Sequence, residues 1–224
     1  MKDFVIKSAS DIEEATLYFG FLPFFKNNVP GFSIAEHTPK EYWFSPDRDG
    51  PWEWKDPVIQ NKKCAYGKFF RGRAGYIDVT LLPDFCNYRR DGYDLDALYE
   101  DGKLAFSQKQ LYDTVVAETE ILSPELRDVC CYGIDGKKGY DQAVTKLQMQ
   151  TYLTFSGIEY EIGKNGKVYG WGVAKFTTPE NLYGRSFIRS AYKKPPEKSF
   201  EKLLKRLKET LPEADEKSLI KLIK

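Results

Sequence analysis

The spacing of apolar residues changes along the chain, and the changes mark out its elements. Ile12, Ala15, Thr16 and Phe19 recur at helical spacing behind a Ser10-Asp11-Ile12-Glu13 capping box, with Gly20 as the stop. Residues 65–70 and 74–79 instead read as two short strands around Arg71-Gly72-Arg73, a small hairpin with a basic tip. Helices are expected over 80–90 and 94–101, the second ended by Gly102. Three more follow over 107–118, capped by Ser107; over 123–131, with Ser123 at the cap and Pro124 at the first helical position; and over 137–148. A long hairpin then occupies 152–162 and 167–177, turning at Lys164-Asn165-Gly166-Lys167, where Asn-Gly supplies positive φ angles. A further helix runs from Pro179 to about residue 192, and Lys193-Lys194-Pro195-Pro196 reads as a linker. Two amphipathic helices close the pattern, striped by Phe200, Leu203, Leu204 and Leu207 and by Leu219, Ile220 and Ile223.

Three helices followed by a two-stranded hairpin predict a winged helix. The expected fold class is α+β, with that winged helix set in a mostly helical body that carries a small N-terminal β-hairpin. It divides as an α+β region over 1–103, a winged-helix domain over 104–192 and C-terminal helices over 193–224. In the third helix of the group, Tyr140, Ala143, Val144 and Leu147 make the inward stripe, which leaves Lys138, Asp141, Gln142 and Thr145 outward. On a recognition helix those four would reach base edges, Gln suiting adenine and Asp cytosine; on any other helix they are a polar face. Lys164 and Lys167 at the wing tip are candidates for the DNA backbone.

Charge changes this picture. The 224 residues carry a net charge of only +1, so the chain has no global attraction for nucleic acid. Residues 55–90 nevertheless hold eight basic side chains against three acidic, and Lys68, Arg71 and Arg73 are the phosphate-facing candidates. Residues 104–183 hold eight basic against ten acidic. The winged helix therefore either borrows the basic segment to bind DNA or binds protein instead.

Aromatic residues make up 15% of the chain, and three of its four tryptophans lie between residues 43 and 54. In an extended segment Trp52 and Trp54 share a face and, with Tyr66, could wall a base-stacking pocket. Equally, they could pin a loop onto the core. Cys64, Cys86, Cys130 and Cys131 show no C-x-x-C spacing, and His37 stands by itself in a loop, so neither a metal nor a cofactor is expected. Reduced thiols, no leader-like start and no long apolar run place the chain in the cytoplasm, away from membranes.

The run DGPWEWKDPVIQNKKCAYG at 49–67, the Tyr99-Glu100-Asp101-Gly102 block, LQMQTYL at 147–153 and Tyr169-Gly170-Trp171 together resemble the AlkZ-related proteins. This bacterial family is named for its relation to AlkZ-type DNA glycosylases, which are built from tandem winged helices and remove alkylated or cross-linked bases. The resemblance implies winged-helix architecture and a DNA-repair role. Those enzymes carry a Gln-x-Gln motif, which Gln148-Met149-Gln150 matches; two carboxamides there would orient a water and stabilise a developing sugar cation. In the enzymes the motif lies near the amino terminus, whereas here it falls between the third helix and the wing. Residues two apart diverge by about 200° on a helix, so the pair converges only if the helix ends there. Excision would also require flipping a base into a pocket, with Trp52, Trp54 and Tyr66 as walls. The expected function is thus a DNA-binding winged-helix protein, with an active glycosylase or a protein-interaction module as alternatives.

Overall fold

The computed structural model describes residues 4–45, 47–133, 136–162 and 168–224, with backbone alone at 161–162 and 168–171. Helix α1 (Ala9–Phe19) is capped by Ser8, whose side chain accepts from the Asp11 amide, so the cap falls two residues before the expected Ser10. Asp11 decides this: its Oδ2 accepts from the Lys7 amide and the Ser8 hydroxyl, both at 2.9 Å. Gly20 (φ 85°) ends the helix as expected. The chain then enters β1 (Phe21–Pro23), a strand absent from the sequence-based expectation, and the short α2 (Ile34–His37).

Trp52 and Trp54 do not lie on a strand. Residues 51–54 form turns that lead into α3 (Lys55–Gln60), and Trp54 has helical torsions, so the two indoles do not alternate across a pleat. The basic hairpin is present as β2 (Cys64–Phe70) and β3 (Arg73–Asp78), with β1 on the far edge of β3 in the order β1-β3-β2. Its turn is two residues, Arg71 and Gly72, both at positive φ (55° and 78°). Next come α4 (Leu82–Arg90) and α5 (Leu95–Glu100).

Helix α6 (Phe106–Glu118) starts one residue before Ser107, and Ala105 stands at its N-cap without a side-chain bond. A three-residue strand, β4 (Glu120–Leu122), precedes α7 (Ser123–Val129), which Leu122 rather than Ser123 caps. Lys137 and Lys138 precede α8 (Tyr140–Met149), which Gly139 opens at φ 85°. Strands β5 (Thr154–Ile162) and β6 (Val168–Thr177) form the long hairpin, and β4 adds to β6 in the order β4-β6-β5. The turn with Lys164 and Lys167 lies outside the described residues.

The expected helix from Pro179 is broken at Gly184 (φ 93°) into α9 (Pro179–Tyr183) and α10 (Arg185–Ile188). Pro195 serves as N-cap to α11 (Pro196–Thr210), so the 193–196 segment is the entry to a helix, and α12 (Glu216–Ile223) ends the order. The fold is α+β. It is not mostly helical, because helices account for about half of the residues and two three-stranded antiparallel sheets share the interior.

One apolar cluster runs from Phe4 to Ile223 across the expected boundaries at 103 and 192. Between the sheets it is an aromatic series: Tyr76 and Tyr66 at 4.7 Å, Tyr66 and Phe155 at 5.0 Å, Phe155 and Phe176 at 5.1 Å. Each such pair contributes about 1 kcal/mol beyond the area it buries. The Thr154 hydroxyl reinforces the join by donating to the Tyr66 carbonyl at 2.9 Å.

Candidate nucleic-acid interface

The tip of the basic hairpin rests on α8. Lys68 Nζ lies 3.4 Å from Thr145 Oγ1, and a Cβ placed on Gly72 would sit 3.3 Å from the Thr145 methyl and 3.8 Å from Met149 Sδ. Thr145 is consequently half-buried beneath the hairpin, while Asp141 and Gln142, one turn earlier on the same side, and Lys138, which precedes the helix, remain exposed. Arg71 and Arg73 are exposed on the tip itself. The structure thus brings Lys68 and Gly72 against Thr145, next to the open half of α8, with Arg71 adjoining Gly72 in the turn. It adds one opposing charge, since Asp141 lies 3.7 Å from Arg127, whose guanidinium covers the Tyr140 ring at 4.7 Å.

Gln148 and Gln150 meet different surroundings. Gln148 is 1% exposed; its Oε1 accepts from the Lys68 amide at 2.9 Å and its Nε2 donates to the Val144 carbonyl at 3.4 Å. The carboxamide therefore fastens β2 to the last turn of α8. Gln150 is the C-cap of that helix, half-buried, and its Oε1 has no hydrogen-bond partner among the described residues. Gln148→Leu should cost about 2 kcal/mol by leaving the Lys68 amide without an acceptor. Chemical denaturation checks this; an unchanged midpoint would mean that the bond contributes nothing.

The three expected stacking residues separate. Tyr66 and Trp54 are buried, Tyr66 between the sheets and Trp54 against Tyr42 at 5.6 Å. Burial pushes the Tyr66 hydroxyl well above the ordinary tyrosine range. Trp52 alone lines an open cleft of about 390 Å³, with Phe44, Ser45, Glu53, Lys55, Tyr160 and Gly172. Its indole packs on Phe24 at 5.0 Å and carries Lys55 Nζ 5.0 Å above the ring. Burial lowers the Lys55 pKa, against the pull of Glu53. Tyr160 sits where β5 shifts register, and its hydroxyl donates to the Trp52 carbonyl at 3.2 Å; burial, then Glu53, raises it to about 12.

A second cleft, of about 380 Å³, opens beside the hairpin tip. Arg71, Arg73 and Phe70 line it from the hairpin, Pro23 from the end of β1, Phe25, Asn27 and Asn28 from the segment after it, and Ser218, Lys221 and Leu222 from α12. Arg73 Nη1 donates to the Lys26 carbonyl at 3.1 Å. Sequence reading missed Phe44, Tyr160 and Lys221. Phe44 is marked by a backbone torsion (φ 57°) that an isolated phenylalanine does not advertise, and Lys221 lies about 150 residues from the arginines it joins.

No group of three or more potential metal ligands is assembled among the described residues, and no helix there is long and apolar enough to cross a membrane. A family model described as AlkZ related matches residues 6–224. No curated protein and no solved structure matches the chain.

Proposed function

The chain belongs to the AlkZ-related family, and from that premise we propose that it binds duplex DNA in a repair-related role, through the hairpin tip and the open half of α8. The carrying observation is the seat of the hairpin on α8 at Lys68, Gly72 and Thr145, which makes one surface of the basic segment and the polar helix face. The order α6-β4-α7-α8-β5-β6, with three helices before the long hairpin, supports the winged-helix reading and casts α8 as the recognition helix. Lys68, Arg71, Arg73 and Lys138, with Lys164 and Lys167 outside the described residues, then take phosphates, while Gln142 and Asp141 face the bases and Thr145 seats the hairpin. The acidic balance of residues 104–183 confines the attraction to this strip.

Duplex affinity measured across a salt series tests the reading. An Arg71→Glu, Lys138→Glu double variant should bind about tenfold more weakly and lower the salt slope by about 2, one unit for each phosphate contact. An unchanged slope would remove this surface from the function.

A protein-binding role has its own support in Phe106, which is 64% exposed and lies 6.5 Å from the partly exposed Tyr99. Binding of a protein partner that survives the double charge reversal and fails with Phe106→Ser would select it. Excision of bases by Gln148 and Gln150 draws on the family alone. The hydrogen bonds of Gln148 offer it no support, whereas Gln150 Oε1 has no partner among the described residues.

A further inference from the structure

The cleft beside the hairpin tip collects positive charge from segments far apart in sequence and leaves it uncompensated. Arg71 comes from the β2–β3 turn, Arg73 from the start of β3 and Lys221 from α12; among the described residues no carboxylate lines the cleft and none of the three has an ion-pair partner. Solvated surface cations usually lie near acids, as Lys109 does between Asp96 and Asp113. Here three cations face one volume, an arrangement that attracts a compact anion and no peptide carboxylate of its own chain.

The other wall is apolar and partly aromatic. Pro23, Phe70 and Leu222 close the floor, and Phe25, 38% exposed, stands at the rim, its ring 5.0 Å from Phe24 and 6.1 Å from Trp52. Packing on two neighbours fixes the ring while one part stays open, so it offers a preset stacking surface. A volume of about 380 Å³ suits a ligand of nucleotide size and is too small for duplex DNA.

Arg71 holds φ at 55°, in the left-handed region that Asn and Gly adopt with least strain. The two-residue hairpin turn requires that torsion of both its residues. That conformation sets Arg71 at the mouth of the cleft, on the same two-residue turn that carries Arg73 beyond it.

We propose that this cleft binds a nucleoside monophosphate, with the phosphate between Arg71, Arg73 and Lys221 and the base against Phe25. The ligand has two possible sources with the same chemistry, a free nucleotide or the phosphorylated end of a DNA strand. The site deepens the DNA-binding reading, yet Lys221 and Phe25 lie outside the strip assigned to duplex contact. Arginine forks take two phosphate oxygens at once, and Lys221 supplies a third donor direction.

The test uses the full chain and a dye-labelled single-stranded oligonucleotide bearing a 5′-phosphate, compared with the same strand ending in a 5′-hydroxyl and with adenosine monophosphate as competitor. The phosphorylated strand should bind about tenfold more tightly. Lys221→Glu should abolish that preference while leaving internal duplex affinity unchanged, and Phe25→Ala should weaken it by several-fold; both are followed by circular dichroism. Competition by the mononucleotide at the same concentration as the strand end identifies a free nucleotide as sufficient, and competition by the strand alone identifies the end. Equal binding of both strands without nucleotide competition, or a preference that survives Lys221→Glu, overturns the cleft assignment. Duplex binding lost in Arg71→Glu, Lys138→Glu would still stand in that case, so the two readings fail separately.

Discussion

Replacing Arg90 with methionine should lower the unfolding free energy by about 4 kcal/mol. Arg90 ends α4 at 5% exposure and uses every edge of its guanidinium. Nη1 donates to Glu180 at 2.5 Å and to the Tyr192 hydroxyl at 2.6 Å, while Nε and Nη2 donate to the hydroxyl and carbonyl oxygens of Thr151 at 3.2 and 2.5 Å. Its plane covers Tyr152 at 4.8 Å. One side chain thereby ties α4 to the end of α8, to α9 and to the segment before α11. Methionine preserves much of the volume but strands the Glu180 carboxylate, 12% exposed, without its cation. A buried ion pair adds little net stability as a pair, and removal of one partner is what costs. Urea unfolding of Arg90→Met, Glu180→Gln and the double variant separates these terms. If Glu180→Gln rescued nothing and the double variant lost the sum of both, the pair would not be coupled.

The second large effect concerns the attachment of α11 to α4. Asp84 is 2% exposed and accepts from the Ser199 hydroxyl at 2.8 Å, from Lys194 Nζ at 3.1 Å and from Lys202 Nζ at 2.5 Å. Asn87 adds bonds to Ser199 Oγ at 2.9 Å and to the Lys194 carbonyl at 3.1 Å. The acid is buried and the lysines are half exposed, so the two directions of mutation differ in cost. A Lys194→Met, Lys202→Met variant leaves a buried carboxylate with one hydroxyl and should cost about 3 kcal/mol, whereas Asp84→Asn returns two lysines to water and should cost less.

The latch also carries a pH signature. Burial pushes the Asp84 carboxyl up, but Lys202, Ser199 and Lys194 together hold it below the usual carboxylate range. Because its folded pKa lies below the unfolded value of about 3.9, its contribution is complete above that value and is lost as pH falls through the folded pKa. The stability difference between the wild-type chain and Asp84→Asn should therefore stay constant from neutral pH to about pH 5 and shrink below about pH 4. A difference that grew on acidification would contradict the latch.

Period and turn chemistry made some of this legible in the sequence. The Arg71-Gly72 turn, the inward stripe of α8 and the paired strands after it all rest on local patterns, and all three recur in the structure. Local patterns failed where two of them competed. Ser8 and Ser10 both precede an acid by three residues, and the reach of Asp11 to the Lys7 amide selects Ser8. Strands β1 and β4 are three residues each, too short to show a period, and exist because β3 and β6 offer them an edge. The tryptophans misled because Trp-Glu-Trp alternates like a strand, while the surrounding glycine and proline turn it instead. At the site, single residues such as Lys68 and Gln142 could be named from sequence. The seat of the hairpin on α8 joins residues about 75 positions apart and is a property of the fold.

The bonds of Arg206 Nη2 to the carbonyls of Leu17 and Tyr18, at 2.9 and 2.7 Å, join α11 to the last turn of α1 across almost the whole chain. During synthesis α1 leaves the ribosome long before α11 exists. At about 5–20 residues per second the interval is about 10–40 seconds. Throughout it the C-terminal carbonyls of α1, and from the synthesis of α4 onward the surface that receives α11, lack those partners. Arrival of α11 therefore completes the packing of α1 and α4, and a chain stalled near residue 195 should be more sensitive to protease than one extended through α11.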